Sequence, residues 1–291
     1  LAEMLDDEGV AREHVAISGT TRENFSVREQ ATGSQYRFVT PGPSLSSSEQ
    51  RACLERLTSL ATSADVVVAS GSLPPGVPED FYQRVADICC EQGALLILDT
   101  SGGGLRCIRR GVHLIKPSLR ELRDCTGRPL ATEVEQVHAA RKLVECGVTN
   151  GVLISRGAQE ALLVTATDAM PFVAVDVDVE SGVGAGDALV AGVAVGLSRA
   201  WPLPEAVRLG MAAAAAMLLT PGTAPCRPVD VWRFFGRTQT ADDISRAGIP
   251  EGPRSAPGSR PSANYEHQPS PVMASTSTPV SEREGQGRCV R

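Results

Sequence analysis

The chain has 291 residues, a formal net charge of −6, 42 % hydrophobic residues and 21 % charged residues. This balance is ordinary for a globular protein that is long enough to bury a full core. The net charge is acidic, whereas nucleic-acid-binding proteins carry basic surface charge. No apolar run reaches the roughly 18 residues of a membrane helix. We therefore expect a small-molecule ligand, with no nucleic acid and no membrane partner.

The cysteine spacing indicates a reducing compartment. None of the eight cysteines belongs to a C-x-x-C pair, and no histidine lies at zinc-finger spacing from them. This pattern predicts reduced thiols and a cytoplasmic protein. The cysteines are Cys53, Cys89, Cys90, Cys107, Cys125, Cys146, Cys226 and Cys289.

The start of the chain indicates a short helix followed by a β-hairpin. Residues 1–8 have apolar side chains at helical spacing. Strand-like runs at 24–28 and 35–39 flank Gly33, which can adopt the positive φ of a hairpin turn. Since this hairpin interrupts the pattern that follows, we predict a small separate sheet.

From residue 66 onward, short continuous apolar runs alternate with helical stretches. This alternation predicts a mostly parallel sheet that is covered by helices on both faces. Ligands of such sheets bind at the carboxyl ends of the strands, and polar or Gly-rich residues follow several of these runs. The predicted strands are 66–69, 95–98, 112–115, 151–154, 161–165 and 172–177. The predicted helices are about 78–93, a short one after 102, one from near 118, and about 133–146, 185–197 and 203–219.

The C-terminal part has a different composition. Residues 241–291 contain seven Pro, eight Ser and five Gly, with Tyr265 as the only aromatic residue. Such a segment buries too little apolar surface to offset its chain entropy, so we predict disorder. The expected organisation is a folded domain over residues 1–236 and a disordered tail over 237–291.

The strongest functional signal is residues 181–187, Ser-Gly-Val-Gly-Ala-Gly-Asp, ahead of an apolar helix. Glycines permit a sharp turn, and a helix N-terminus offers unpaired N–H groups and a positive dipole end that suit a phosphate. A carboxylate at Asp187 could then act as the base for a hydroxyl that attacks a phosphoryl group. The spacing fits neither a dinucleotide fingerprint nor a Walker A loop. The structural alternative is a Gly-rich turn with Asp187 as helix N-cap.

Gly-Ala-Gly-Asp at the start of an Ala/Gly-rich helix resembles the second signature of the ribokinase-like (PfkB) carbohydrate kinases. Further stretches follow the order and spacing of the phosphofructokinase and tagatose-6-phosphate kinase branch of this family. The resemblance reaches from residue 1 to about 236. It implies an α/β three-layer sandwich with a mostly parallel central sheet and a small β lid, whose hairpin covers about residues 20–40. The stretches are 21–24 (TREN), 33–38 (GSQYRF), 71–76 (GSLPPG), 99–102 (DTSG) and 114–117 (LIKP).

The resemblance implies ATP-dependent phosphorylation of a sugar-phosphate hydroxyl, with fructose 6-phosphate converted to fructose 1,6-bisphosphate. Asp187 is then the catalytic base, and the N–H groups of Gly184, Ala185 and Gly186 form the anion hole. The implied sugar-phosphate ligands are Arg22 and Ser72. The implied ATP-binding residues are Lys116, Ser118, Ser155, Arg156 and Gly157.

The resemblance also implies ions and an assembly. Glu121 would organise the water shell of Mg²⁺, which retains several waters when it binds to proteins. K⁺ is a further candidate ion, and a homodimer through the lid sheet is a candidate assembly. Several site residues also have purely structural interpretations: a surface charge for Lys116, a solvated helix position for Glu121, an ion pair with Glu23 or Glu29 for Arg22, and a turn cap for Ser72.

Three positions depart from the family pattern. Ser118 stands where the family has Asn, Glu160 where it has Gly, and Gly182 where it has Ser or Thr. Negative charge at Glu160 is expected to weaken ATP binding, because like charges beside a triphosphate repel. The family's N-terminal part, with a sugar-binding Asp and half of the lid, has no counterpart here, so the chain is expected to be a truncated kinase.

These departures leave three alternatives open. The chain could be a catalytically weak nucleotide- or metabolite-binding homologue. It could be a 1-phosphofructokinase or a tagatose-6-phosphate kinase. It could also phosphorylate another substrate, such as a nucleoside.

Overall fold

The computed structural model describes residues 2–29, 32, 35–157, 160–222 and 224–238. The turn residue Gly33 and the predicted tail beyond 238 lie outside the described residues. The chain divides into two compact units. Among the described residues, those within 2–22 and 41–238 belong to the larger unit, and those within 23–40 belong to the smaller one.

The smaller unit contains the predicted hairpin. Strands β1 (Asn24–Arg28) and β2 (Gln35–Val39) pair antiparallel, which confirms both predicted runs. Phe25 lies opposite Phe38, and their rings stack at a centroid distance of 4.9 Å. Val27 lies opposite Tyr36 on the same face, because side chains two residues apart share a face of a strand. All four side chains are about half exposed.

The larger unit is built on a six-stranded sheet in which the strands follow one another in chain order. The first four strands pair parallel and the last two antiparallel, which confirms a mostly parallel sheet. The strands are β3 (Val66–Ser70), β4 (Leu95–Asp99), β5 (Val112–Ile115), β6 (Thr149–Ser155), β7 (Glu160–Thr165) and β8 (Ala169–Val173).

Helices cover both faces of this sheet, which gives the expected three layers. Ile97 of β4 packs on one face in a cluster with α7 and α8, whereas Leu96 and Leu98 pack on the other face in a cluster with α3. The helices are α1 (Ala2–Asp7), α2 (Ser47–Ala61), α3 (Phe81–Gln92), α4 (Gly102–Arg106), α5 (Leu119–Thr126), α6 (Glu133–Glu145), α7 (Ala185–Ser198), α8 (Leu203–Leu218) and α9 (Pro228–Phe235).

Two of these helices were not predicted. Helix α2 begins with a capping box, in which Ser46 and Glu49 each accept a hydrogen bond from the backbone N–H of the other. Helix α9 places Phe234 against Ala212, Ala215 and Ala216 of α8. In addition, α3 begins at Phe81, three residues later than the prediction at Pro78, and ends as expected at Gly93 with φ 75°.

The last strand was predicted in the wrong place. The turn after β7 closes early, because the N–H of Thr165 donates to the carbonyl of Asp168 at 2.9 Å. Strand β8 therefore begins at Ala169 and ends at Val173, and the predicted strand 172–177 is wrong. Val175 and Val177 instead pack against the cluster formed by α8 and α9.

Helices α7 and α8 approach closely through small residues. A β-carbon on Gly192 would lie 2.6 Å from the Cα of Gly210, and one on Gly196 would lie 2.6 Å from the Cα of Ala206. Since no side chain separates the backbones, α8 holds α7 and the turn that precedes it in a fixed position. Within the part of the chain that the structure describes, we find no helix that is both long and apolar enough to cross a membrane.

Candidate active site

The carboxyl ends of the parallel strands bring several predicted site residues to one edge of the sheet. Strands β3 and β4 end side by side at Ser70 and Asp99. Lys116 directly follows β5, and its N–H donates to the carbonyl of Leu98 at 2.9 Å. Ser155 ends β6, the next strand of the sheet. This arrangement confirms the expected collection of polar residues at this edge.

Lys116 is buried in the site. Its side chain is 7 % exposed, and its Nζ lies 3.1 Å from a carboxylate oxygen of Asp99. A β-carbon built on Gly186 would lie 3.8 Å from the same Nζ, so the ammonium group lies beside the Gly-rich turn. The interpretation of Lys116 as a surface charge is therefore wrong.

The Gly-rich turn leads directly into helix α7. Gly184 is the N-cap residue with φ 82°, a left-handed conformation that favours glycine. The N–H of Ala188 donates the first helical hydrogen bond, to the carbonyl of Gly184 at 2.8 Å. The N–H groups of Ala185 and Gly186 precede this bond and belong to the anion-binding end of the helix. Asp187 lies in the first turn of α7, so its interpretation as N-cap is wrong.

Hydrogen bonds tie the segment before the turn to the end of α8. The N–H of Glu180 donates to the carbonyl of Leu218 at 2.8 Å. The hydroxyl of Ser181 donates to the carbonyl of Gly222 at 3.1 Å and accepts the N–H of Val183 at 3.2 Å. The turn is therefore held at both ends, by α7 and by the segment after α8.

The charges around Lys116 form one cluster. Burial raises the pKa of Asp99, and the neighbouring Lys116 counteracts this shift. The negative charges of Glu121 and Asp187 raise the pKa of Asp99 further, so these carboxylates lie close enough to affect one another. A site with three carboxylates and one lysine favours a bound cation or a proton.

The predicted nucleotide-binding segments are neighbours. Ser118 and Ser155 form a parallel β-bridge, and the N–H of Ser155 donates to the carbonyl of Pro117 at 2.9 Å. Ser118 is the N-cap of α5, where its N–H donates to a carboxylate oxygen of Glu121 at 2.7 Å. Ser118 thus supplies a polar cap at the position where the family has Asn, and Glu121 is held in a capping box.

Arg156 makes ion pairs with two carboxylates of its own chain. Its Nη1 lies 2.7 Å from Glu133 and 3.5 Å from Glu160, while its side chain is only 12 % exposed. The charge of Glu160, which we expected to weaken ATP binding, is therefore partly balanced by Arg156. Gly157 follows with φ 83°.

Arg22 and the loop that carries Ser72 both lie near Gly42. A β-carbon on Gly42 would lie 3.9 Å from Cδ of Arg22 and 3.9 Å from Cδ of Pro75. Pro75 belongs to the loop 71–76, which also carries the exposed Ser72. Between residues that the structure describes, no ion pair involves Arg22, so the predicted alternative of a pair with Glu23 or Glu29 is not observed.

Two residues near this loop were missed by the sequence reasoning. The hydroxyls of Tyr82 and Thr100 both donate to the carbonyl of Gly71. The position of Thr100 just after a strand was a signal for it, because the carboxyl ends of strands line the site. No sequence signal identified Tyr82, which comes from helix α3.

Comparisons with known proteins match most of the chain. A model of the pfkB family carbohydrate kinases matches residues 1–230. ATP-dependent 6-phosphofructokinase isozyme 2 of Mycobacterium tuberculosis strain H37Rv is 55 % identical over 235 residues, covering 81 % of this chain and 69 % of that protein. The 1-phosphofructokinase of Bacillus subtilis strain 168 is 35 % identical over 214 residues, covering 73 % of this chain and 69 % of that protein. The crystal structure of phosphofructokinase-2 from Escherichia coli in complex with potassium has a TM-score of 0.75 and 33 % identity, covering 81 % of this chain and 77 % of that chain.

Proposed function

The chain belongs to the pfkB family of carbohydrate kinases, and from this premise we propose that it transfers the γ-phosphoryl group of ATP to fructose 6-phosphate. The substrate is proposed from the 55 % identical relative, which is an ATP-dependent 6-phosphofructokinase. The observation that best supports this chemistry is the position of the Lys116 ammonium group, which is buried and lies beside Gly186. Gly186 immediately precedes Asp187 in the chain. A base, a cation and a helix N-terminus thus meet at one turn.

In the proposed reaction, Asp187 accepts the proton of the sugar hydroxyl. The hydroxyl oxygen forms a bond to the γ-phosphorus, and the bond from the γ-phosphorus to the bridging oxygen of ADP breaks. The N–H groups at the start of α7 face the negative charge of the group in transfer. Lys116, which lies beside Gly186 of the turn, balances the charge of the nucleotide phosphates.

A divalent ion fits this site, and Mg²⁺ is the ion that we propose. The negative charges of Glu121 and Asp187 contribute to the raised pKa of Asp99, and a bound cation would offset this local negative charge. No group of three metal-ligating side chains is close enough to hold an ion among the described residues. Glu121 would therefore act through water, which suits Mg²⁺ because it keeps most of its hydration shell.

Arg22 and Ser72 are the proposed ligands of the sugar phosphate. A guanidinium group can donate paired hydrogen bonds to a phosphate, and Arg22 is free of ion pairs among the described residues. Arg22 lies near Pro75 of the loop that carries Ser72, which supports a shared role for the two donors. This arrangement favours phosphorylated over free sugars.

Three further features complete the proposal. K⁺ is a candidate activating ion, because the related E. coli structure was determined in complex with potassium. The exposed apolar face of the hairpin, formed by Phe25, Val27, Tyr36 and Phe38, is the candidate homodimer interface. The cytoplasm, expected from the cysteine spacing, is the candidate location.

A catalytically weak nucleotide-binding homologue is the second candidate function. The observation in its favour is Arg156, whose Nη1 is paired with Glu133 and Glu160, while its Nε and Nη2 are buried without a hydrogen-bond partner among the described residues. Calorimetry with ATP separates the two functions: binding with no turnover on any hexose phosphate supports the second candidate. One relative is named a 1-phosphofructokinase, so the turnover measurements on hexose phosphates also test for this activity.

The experiment for the main proposal is ADP release with fructose 6-phosphate and Mg²⁺. We expect Asp187→Asn to lower the turnover by about 100-fold or more, because proton transfer by a placed base contributes about that much. The matched control is Asp124→Asn, which changes an exposed carboxylate on α5 and should leave the turnover unchanged. Full activity of Asp187→Asn would remove Asp187 from the role of base.

A further inference from the structure

The loop that carries Ser72 is attached to the sheet at Gly71. Its carbonyl accepts the hydroxyl of Tyr82 at 2.7 Å and the hydroxyl of Thr100 at 2.8 Å. Its N–H donates to the carbonyl of Asp99 at 2.9 Å. Both polar backbone groups of Gly71 are therefore used where β3 ends and the loop begins.

The two hydroxyls are shielded from water. Tyr82 is 9 % exposed and Thr100 is 4 % exposed, whereas Gly71 itself is exposed, so the two hydrogen bonds to its carbonyl are partly buried. Burial raises the pKa of Tyr82, and its hydroxyl therefore stays protonated and able to donate. Gly71 has φ 106°, a positive value that glycine adopts readily and other residues rarely adopt, so the start of the loop requires glycine at this position.

Gly104 of α4 provides the space for the tyrosine ring. A β-carbon on Gly104 would lie 2.9 Å from Cδ2 of Tyr82 and 3.2 Å from the hydroxyl oxygen of Thr100. An alanine here would push the ring or the hydroxyl away from Gly71. The neighbouring Gly103 differs, because its β-carbon would meet only the carboxylate end of Glu79, a flexible and exposed side chain.

We propose that Tyr82, Thr100 and Gly104 are positioning residues for the sugar phosphate, which act by holding the carbonyl of Gly71. The fixed carbonyl holds the start of the loop 71–76, while the end of the loop is held where the carbonyls of Pro75 and Gly76 accept the N–H of Leu45 at 3.3 Å and Nε2 of Gln50 at 3.1 Å. The loop held in this way has Pro75 beside Gly42, which also lies beside Arg22. The three residues touch no substrate themselves. The inference rests on the proposed function, since it assigns Ser72 and Arg22 to the sugar-phosphate side.

The test is a set of conservative variants. Tyr82→Phe and Thr100→Val each remove one hydroxyl, and we expect each to raise the KM for fructose 6-phosphate by roughly 3- to 10-fold, the range of one hydrogen bond. The KM for ATP should not change. Thr58→Val is the matched control, because its hydroxyl bonds to Leu54 within α2, away from the loop.

The glycine pair gives a second matched comparison. Gly104→Ala should raise the KM for fructose 6-phosphate in the same way, whereas Gly103→Ala should not. Equal increases of both KM values, or a lower kcat with unchanged KM values, would show a general role in folding and would overturn the proposal.

Hydrogen exchange provides a readout that does not depend on activity. The amides of Gly71 and Val77, which donate to the carbonyls of Asp99 and Pro74, should exchange faster in Tyr82→Phe and Gly104→Ala than in Thr58→Val and Gly103→Ala. Unchanged exchange at these amides would overturn the proposal even if the KM rises. If the wild-type chain phosphorylates no sugar phosphate, the proposed function fails, and the role of the three residues in fixing the loop is decided by exchange alone.

Discussion

At the scale of single residues, the pair of Lys116 and Asp99 dominates the site. Both side chains are largely buried, at 7 % and 16 % exposure, and their charged atoms are 3.1 Å apart. Removing one partner of a buried ion pair leaves the other charge without compensation, which costs more than the pair itself contributes. Because removing one charge costs more stability than removing both, variants of this pair can separate the effect on stability from the effect on catalysis.

We predict that Lys116→Met lowers the free energy of unfolding by about 3 kcal/mol, because the carboxylate of Asp99 loses its partner in a buried site. The double variant Lys116→Met/Asp99→Asn should regain most of this loss, since no buried charge is left. Neither variant should show turnover, because the cation beside the anion turn is absent in both. Thermal unfolding and ADP release measure the two effects.

Lys142 provides the control for this prediction. It is the other lysine of the chain and lies in the last turn of α6. Lys142→Met should retain both stability and turnover. A double variant that is as unstable as the single one would show that charge is not the cause.

The sequence was sufficient to find Lys116 but not its partner. With two lysines in the chain, the one at a strand end was the better candidate for a phosphate. Asp99 lies on the neighbouring strand β4, and its contact with Lys116 depends on the strand register, which places Leu98 opposite Ile115. The register is set by how the strands pack in the folded sheet, and the residue pattern of a single strand does not reveal it.

At the scale of elements, the helix caps explain where several helices begin. Capping boxes start α2, α5 and α6, and in each a serine or threonine pairs with a glutamate three residues later. The box of α2 also reaches beyond its helix, because Glu49 accepts the N–H of Ser18 at 2.6 Å. Glu49 therefore links the N-terminal segment of the chain to α2.

We predict an acid-sensitive contribution from Glu49. The backbone hydrogen bonds from Ser46 and Ser18 lower its pKa from 4.5 to about 2. Because the folded-state pKa is the lower one, the carboxylate stabilises the fold above pH 4.5, and this contribution is lost as the pH falls toward 2. The unfolding free energy of the wild type should thus fall more steeply with acid than that of Glu49→Gln.

The exposed Glu55 of the same helix is the control. Glu55→Gln should retain the acid response of the wild type when urea unfolding is followed between pH 5 and pH 2. Identical slopes for the wild type and Glu49→Gln would contradict the assignment.

The elements that the sequence reasoning missed have weak patterns. Helix α2 buries only Gln50, Leu54 and Ala61, so its apolar stripe is too sparse for a clear helical period. Its capping box was nevertheless visible as Ser46 and Glu49. Helix α9 is short, and its burial depends on contact with α8, which no local pattern shows.

At the scale of the whole molecule, the alternation of strands and helices was enough to predict a mostly parallel sheet and the edge that carries the site. The hairpin was also predicted, with both strands at their observed bounds. The sequence alone did not show which side chains of the two strands share a face. The strand register shows that one face is apolar and consists of Phe25, Val27, Tyr36 and Phe38. Such exposed apolar faces are typical of protein interfaces.

We predict that this face supports a homodimer. Replacing Phe25 and Phe38 by serine removes the stacked pair and should shift the chain toward the monomer in light scattering after size-exclusion chromatography. The control replaces Ser26 by alanine, because Ser26 points to the opposite face of β1. A wild type that is monomeric at micromolar concentration, or a variant that remains dimeric, would contradict the proposed interface.

The central claim is that the turn around Asp187 catalyses phosphoryl transfer from ATP to a sugar phosphate. The most direct measurement is ³¹P NMR of the chain incubated with ATP, Mg²⁺ and fructose 6-phosphate, with Asp187→Asn in parallel. We predict that the γ-phosphate signal of ATP decreases as the signals of fructose 1,6-bisphosphate and ADP increase in equal amounts, and that the variant leaves ATP intact. Loss of the γ-phosphate as inorganic phosphate, or no reaction with any hexose phosphate, would contradict the account.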